Sequence, residues 1–190
     1  MFRYFLIVCL FLLITPKVSD TFASEISYEV KLNSMIREQK RAEFWFNLAI
    51  YKLKQFEGFA TKPYLGSSGE RLIGYGHSMS SRGEYINQIT DTDAELLLKT
   101  DLTSEIDFIK KDLKRSLIDS SQQIIALAMF SYNVGRGAWN RSRLRSCVIS
   151  GLPVEGEFLK WVYINEKKSS HLMKRRIFEL NLYSKILHLY

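Results

Sequence analysis

The chain contains 190 residues, which suits one domain with a single hydrophobic core. Hydrophobic residues make up 46% of the chain and aromatic residues 13%, and this composition excludes an intrinsically disordered protein. The formal net charge of +7 favours an anionic polymer as partner: a nucleic acid, an anionic membrane surface or a cell-wall polymer.

The first 23 residues differ in composition from the rest. Arg3 provides a positive charge, residues 5–15 form an almost unbroken apolar run, and a polar stretch leads to Ala23. This pattern predicts a secretory signal peptide over residues 1–23, and the run is shorter than the roughly 20 residues that span a bilayer. Cleavage would leave 25 basic and 19 acidic residues, a net charge of +6, and Cys147 as the single cysteine, which we expect to be a buried structural thiol.

Residues 24–43 are polar and charged, and they form either an N-terminal lead-in segment or the start of a helix. Residues 44–190 are predicted to form the folded domain. Its first helix ends near Gly58 and shows apolar residues at roughly helical spacing. These residues are Phe46, Ile50, Leu53 and Phe56.

Short strands and turns are predicted after this helix, because glycine and proline recur there between apolar residues. The residues concerned are Gly58, Pro63, Gly66, Gly69, Gly74 and Gly76.

Helical patterns dominate beyond Thr90, which is placed to cap a long amphipathic helix over residues 90–113. Ser120 and Gln123 fit a capping box for a nearly all-apolar helix over residues 124–134, closed by Gly135. Further helices are predicted over residues 139–150, 154–163 and 170–187. One helix, a small sheet and a set of helices together predict the α+β class.

The stretch from Glu57 to His77 reads EGFATKPYLGSSGERLIGYGH. It resembles the active-site signature of the phage-type lysozymes, glycoside hydrolase family twenty-four. The residues that match that signature in type and spacing are Glu57, Gly58, Tyr64, Gly69, Ile73, Gly74, Tyr75, Gly76 and His77. Blocks over residues 90–102, 126–145 and 158–179 resemble further family segments in the same order, so that the resemblance covers about residues 44–185.

This resemblance implies a lysozyme-like fold with a small antiparallel sheet lobe and a helical bundle lobe, and peptidoglycan as the substrate. It makes Glu57 the catalytic general acid, and it places Tyr64, Gly74, Tyr75 and His77 among the substrate-binding residues. Considered alone, a histidine in a Gly-Tyr-Gly-His turn is more often a structural hydrogen-bonding residue.

Two members of the family's catalytic set are replaced. The aspartate expected nine residues after Glu57 is Gly66, and the threonine expected fifteen residues after it is Leu72. The aromatic side chains around Glu57 would favour its protonated form, whereas the pair Arg175-Arg176 would favour its ionised form if it approached the cleft. The sequence leaves both outcomes open.

Glycoside hydrolysis needs an acid and usually a second carboxylate, and Gly66 has no side chain to supply one. Three substitutes remain open. Glu70 or Glu84 could reach the cleft, Ser67 or Ser68 could orient a water molecule, or the sugar's own 6-hydroxyl could attack its anomeric carbon. The last route is lytic transglycosylase chemistry, in which one glutamate serves first as acid and then as base.

The sequence therefore favours an exported peptidoglycan-cleaving glycosidase, either a muramidase or a lytic transglycosylase, in the periplasm, the cell envelope or the extracellular space. The alternatives are a catalytically inactive wall-binding or scaffolding module and a basic protein that binds membranes or nucleic acid. We expect no nucleic-acid partner, no cofactor and no metal. A monomer and a transient membrane association through the N-terminal segment are also expected.

Overall fold

The computed structural model describes residues 16–66, 69–79, 86–116, 118 and 120–187, with side chains from Ser24 onward. The chain divides into two compact units, Met1–Ala42 and Glu43–Tyr190. The predicted signal peptide lies mostly outside the described residues, so the limits 1–23, 24–43 and 44–190 remain predictions.

Helix α1 (Pro16–Glu57) runs through the segment that the sequence left open as lead-in or helix. No glycine and no further proline occurs between its ends, so nothing in this stretch interrupts the backbone hydrogen bonds. Residues 24–41 are exposed, whereas Trp45, Ala49 and Leu53 are buried in the core of the second unit. Among the helices of the described residues, none is both long enough and apolar enough to cross a membrane.

A three-stranded antiparallel sheet follows, with strands β1 (Ala60–Leu65), β2 (Arg71–Gly74) and β3 (His77–Ser78) in that order. Tyr64 pairs with Leu72, and Leu65 pairs with Arg71. The sheet confirms the strands and turns expected from the glycine-rich stretch, and together with the helices it confirms the α+β class.

Helix α2 (Asp91–Asp112) begins as predicted, because the Thr90 hydroxyl accepts a hydrogen bond of 3.1 Å from the Asp93 N–H. Helix α3 (Ser121–Val134) is the central buried helix and ends at Gly135, whose φ is 82°. The predicted capping box is wrong. Ser120 makes no side-chain capping bond, and the helix starts three residues before the predicted position.

The predicted helix over residues 139–150 is two helices, α4 (Arg136–Arg141) and α5 (Arg143–Ser150). They separate at Ser142, which is extended and whose hydroxyl accepts a hydrogen bond of 3.0 Å from the Arg145 N–H, so that it caps the second helix.

The remaining elements are shorter than predicted. Helix α6 (Glu155–Leu159) covers only the first part of the segment, residues 154–163, that was expected to be helical. Strands β4 (Tyr163–Ile164) and β5 (Lys167–Lys168) form a hairpin, because Asn165 and Glu166 adopt positive φ angles that reverse the chain. Helix α7 (Ser170–Tyr183) ends before the predicted residue 187, and Lys185 beyond it also has a positive φ.

Asp112 joins three of these elements at the C-terminal end of α2. It accepts hydrogen bonds from Trp139 Nε1 at 2.9 Å and from Arg145 Nε and Nη2 at 2.8 and 2.7 Å. These hydrogen bonds, with that of Arg145 foremost, hold the pKa of Asp112 below its ordinary value. The ionised carboxylate therefore stabilises the folded state.

We expect Asp112→Asn to lower the free energy of unfolding at pH 7 by about 1–3 kcal/mol, because the charge-assisted pair with Arg145 is lost. Since the folded pKa is depressed, this contribution exists above the unfolded pKa near 4 and disappears as the pH falls through the folded value. Urea unfolding at pH 7 and at pH 2.5 measures it. The exposed substitution Asp107→Asn is the control, and an equal deficit of Asp112→Asn at both pH values would contradict this role.

Candidate active site

Glu57 is the last residue of α1, and Gly58 ends the helix there with a φ of 71°. The Glu57 side chain is 20% exposed, and its Oε1 accepts a hydrogen bond from Arg175 Nη1. Its other oxygen, Oε2, faces the turn between β2 and β3: a Cβ atom on Gly76 would lie 3.8 Å from Oε2 and 3.8 Å from the Tyr132 hydroxyl. The two oxygens of this carboxyl group thus have different surroundings.

Arg175 on α7 holds Glu57 from within the core. Its side chain is 1% exposed, and it also donates from Nε to Glu179 Oε1 at 3.0 Å and from Nη2 to the Met129 carbonyl at 3.2 Å. The guanidinium lies 5.5 Å from the centre of the Phe56 ring. With these partners on three sides, the guanidinium has a defined orientation, so the carboxyl group that it contacts is also fixed.

The hydrogen bonds of Arg176 go to residues other than Glu57. This arginine donates to Asn133 Oδ1 at 2.9 Å and to Glu179 Oε1 at 3.1 Å, and it lies 4.7 Å from the centre of the Phe130 ring. Burial lowers the pKa of Arg176 to about 10, which leaves it charged at neutral pH. Of the two arginines whose approach the sequence left open, Arg175 therefore contacts the glutamate directly.

Tyr75 and His77 make protein contacts that secure the turn after β2. The Tyr75 hydroxyl donates to Asp91, and its carbonyl accepts a hydrogen bond of 2.8 Å from the Tyr132 hydroxyl. His77 Nδ1 lies 2.8 Å from Asp101 Oδ2, which links β3 to α2. These contacts fit structural roles, and the predicted substrate-binding roles of both residues remain predictions.

Gly74 and Tyr64 lie on the sheet in different settings. Gly74 has a φ of 65°, and a Cβ atom there would come within 2.9 Å of the Ala94 Cβ, so this glycine permits close packing against α2. Tyr64 is 40% exposed. Partial burial raises the pKa of Tyr64, and the charges of Glu57 and Glu70 raise it further. Tyr64 is therefore influenced by both carboxylates and is accessible to a ligand.

The turn between β1 and β2 brings Gly66 and Glu70 together. A Cβ atom on Gly66 would contact Glu70 Oε1 and would lie 2.6 Å from its Cδ and 2.9 Å from Leu72 Cδ1. Ser67, Ser68 and Glu84, which the sequence offered as alternative groups, lie outside the described residues.

The phage lysozyme family model matches residues 54–179, which include every site residue described above. The chain belongs to the phage lysozyme family. An endolysin of Bacillus phage B103 is 37% identical over 135 residues, 69% of this chain and 50% of the relative. An endolysin of Bacillus phage PZA is 34% identical over 136 residues, 70% of this chain and 52% of the relative. The chain thus spans about half the length of these curated relatives.

A solved structure has a fold similar to that of this chain. The muramidase domain of SpmX from Asticaccaulis excentricus superposes with a TM-score of 0.60 at 26% identity, covering 72% of this chain and 94% of that domain. The family resemblance and the lysozyme-like α+β fold expected from the sequence are therefore confirmed. In the part of this chain that the structure describes, no group of three or more His, Cys, Asp or Glu side chains could hold a metal ion.

Two residues near the acid were not identified as site residues from the sequence. The Tyr132 hydroxyl, like Glu57 Oε2, lies 3.8 Å from the position of a Cβ atom on Gly76, and burial together with the negative charge of Glu57 raises the pKa of Tyr132. Glu179 is fully buried and orients Arg175. The spacing of four residues between Arg175 and Glu179 on one helix was the available signal, since such pairs share a helix face.

Proposed function

We propose that this protein is a lysozyme-type glycosidase that cleaves the glycan strands of bacterial peptidoglycan, with Glu57 as the general acid. Membership of the phage lysozyme family and the endolysin relatives support this function. The observation that carries it is the geometry of Glu57, a partly exposed carboxyl group held through one oxygen by a buried arginine.

In the proposed mechanism, the two oxygens of Glu57 have different tasks. Oε1 is occupied by the guanidinium, so Oε2 is the oxygen that carries the proton and passes it to the glycosidic oxygen. The bond between the glycosidic oxygen and the anomeric carbon then breaks. A water molecule captures the anomeric carbon in a muramidase, whereas the sugar's 6-hydroxyl captures it in a lytic transglycosylase.

The proposed setting is the bacterial envelope or the exterior, reached through the N-terminal signal, with the wall as partner. The predicted net charge of +6 after cleavage suits the anionic groups of the wall. A monomer without a nucleic-acid partner, in transient contact with the membrane through its N-terminal segment, belongs to the same proposal.

A second candidate function is wall binding without catalysis. Gly66 and Leu72 favour it, because both stand where the family carries catalytic side chains. A fold of this kind can retain a binding cleft after its chemistry is lost.

Incubation of the full chain with insoluble peptidoglycan from several wall types separates the two functions. We expect the protein to sediment with the wall and to release soluble muropeptides. Sedimentation without release would favour the inactive binding module. If the protein neither sedimented with the wall nor released muropeptides, both functions would be contradicted.

A further inference from the structure

The hairpin register places positions 66 and 70 on the same face as Tyr64. Tyr64 pairs with Leu72 and Leu65 with Arg71, so Gly66 and Glu70 are the next opposed pair, and the Gly66 N–H donates to the Glu70 carbonyl at 2.8 Å. Opposed residues of an antiparallel pair project from the same face, and faces alternate along a strand. A side chain on either residue 66 or residue 70 therefore extends from the same part of the hairpin.

The Glu70 carboxyl group occupies the space that a side chain on residue 66 would enter. A Cβ atom on Gly66 would lie 2.6 Å from Glu70 Cδ and would contact Oε1, closer than real Cβ atoms approach. Gly66 is not among the glycines with positive φ, so the backbone of the turn does not itself require glycine. Glycine at position 66 instead makes room for the carboxylate of Glu70.

The charges of Glu57 and Glu70 both affect the pKa of the Tyr64 hydroxyl. The negative charges of both carboxylates, after partial burial, raise the pKa of Tyr64. Tyr64 lies on the face that carries Glu70. The hairpin thus presents the Glu70 carboxylate at position 66, where the family resemblance leads us to expect the second catalytic side chain.

We propose that Glu70 is the second catalytic carboxylate of this protein, supplied from the opposite side of the hairpin turn in place of a side chain at Gly66. The inference rests on the proposed glycosidase function and makes the reaction a hydrolysis. Glu57 gives its proton to the glycosidic oxygen as the bond to the anomeric carbon breaks. Water forms the new bond to that carbon, and its proton passes to the Glu70 carboxylate, so that the product is a reducing sugar.

The test removes the carboxylate at residue 70 and introduces one at residue 66, on the opposite strand of the hairpin. The variants are Glu70→Gln, Glu70→Ala, and the double variant Gly66→Asp with Glu70→Ala, and Glu166→Gln in the exposed β4–β5 turn is the matched control. Each full-length variant is assayed for release of reducing-end muropeptides, and its unfolding is measured to confirm that it folds.

We expect Glu70→Gln and Glu70→Ala to lose about 10²-fold or more in rate, on the scale of single catalytic groups. The double variant should recover at least about tenfold over Glu70→Ala, because an aspartate at position 66 occupies the vacated space. Glu166→Gln should keep the wild-type rate.

A wild-type rate in folded Glu70→Gln would overturn the inference, as would anhydro-sugar products from the wild type, since these arise without an attacking water. In either case, activity that still depends on Glu57 would leave the proposed function intact. A wild type that releases no products would instead overturn both, which distinguishes the two failures.

Discussion

Glu57→Gln is expected to lower the rate of muropeptide release by about 10²–10⁴-fold, the usual contribution of a general acid. The glutamine amide has the size of the carboxyl group and its oxygen still accepts from Arg175, but it carries no proton that can pass to the glycosidic oxygen. We therefore expect wall binding to persist while turnover is lost. The rate is measured on purified peptidoglycan, with sedimentation of the protein in the same samples.

The control for this substitution is Glu166→Gln, the same chemical change at an exposed turn position. It should leave both rate and binding unchanged. If folded Glu57→Gln keeps more than about a tenth of the wild-type rate, Glu57 is not the general acid, because the loss would fall below that of catalytic acids.

The largest expected effect on stability is that of Arg175→Met. The guanidinium is 1% exposed and joins α1, α3 and α7 through Glu57, the Met129 carbonyl and Glu179. Methionine fills much of the volume but leaves the buried Glu179 with fewer hydrogen bonds. Since breaking a buried ion pair by removing one partner costs about 3–5 kcal/mol, we expect a loss of that size.

Urea unfolding followed by circular dichroism measures this loss, with the exposed Arg115→Met as control. The activity of Arg175→Met should also fall under conditions where it remains folded, because Glu57 loses the contact that orients it. A destabilisation no larger than that of the control would show that Arg175 does not hold these helices together.

The local features of the fold were predictable because they depend on residues close in sequence. Gly58 ends α1, the Thr90 hydroxyl caps α2, and Gly135 ends α3, all as their positions indicated. The split at Ser142 was missed because a single serine between polar residues does not by itself indicate a helix boundary, and its extended backbone and capping hydrogen bond show the break only in the structure. The β4–β5 hairpin was missed as well, because its turn depends on positive φ angles at Asn165 and Glu166, and glutamate is not a residue type that signals such a conformation.

The site was predictable only in part. The motif identified Glu57, but its contact with Arg175 joins residues 118 positions apart and depends on the packing of α7 against α3. The sequence offered Glu70 among several substitutes for the missing carboxylate. Its position over Gly66 follows from the strand register, which spacing alone does not define because the exact ends of β1 and β2 were unknown.

Mass spectrometry of the muropeptides released by the wild type and by Glu57→Gln tests the central claim most directly. We predict reducing-end products from the wild type and a loss of about 10²-fold or more in Glu57→Gln. The claim that Glu57 drives glycan cleavage would be contradicted if the wild type released no products from any wall type, or if both proteins released them equally.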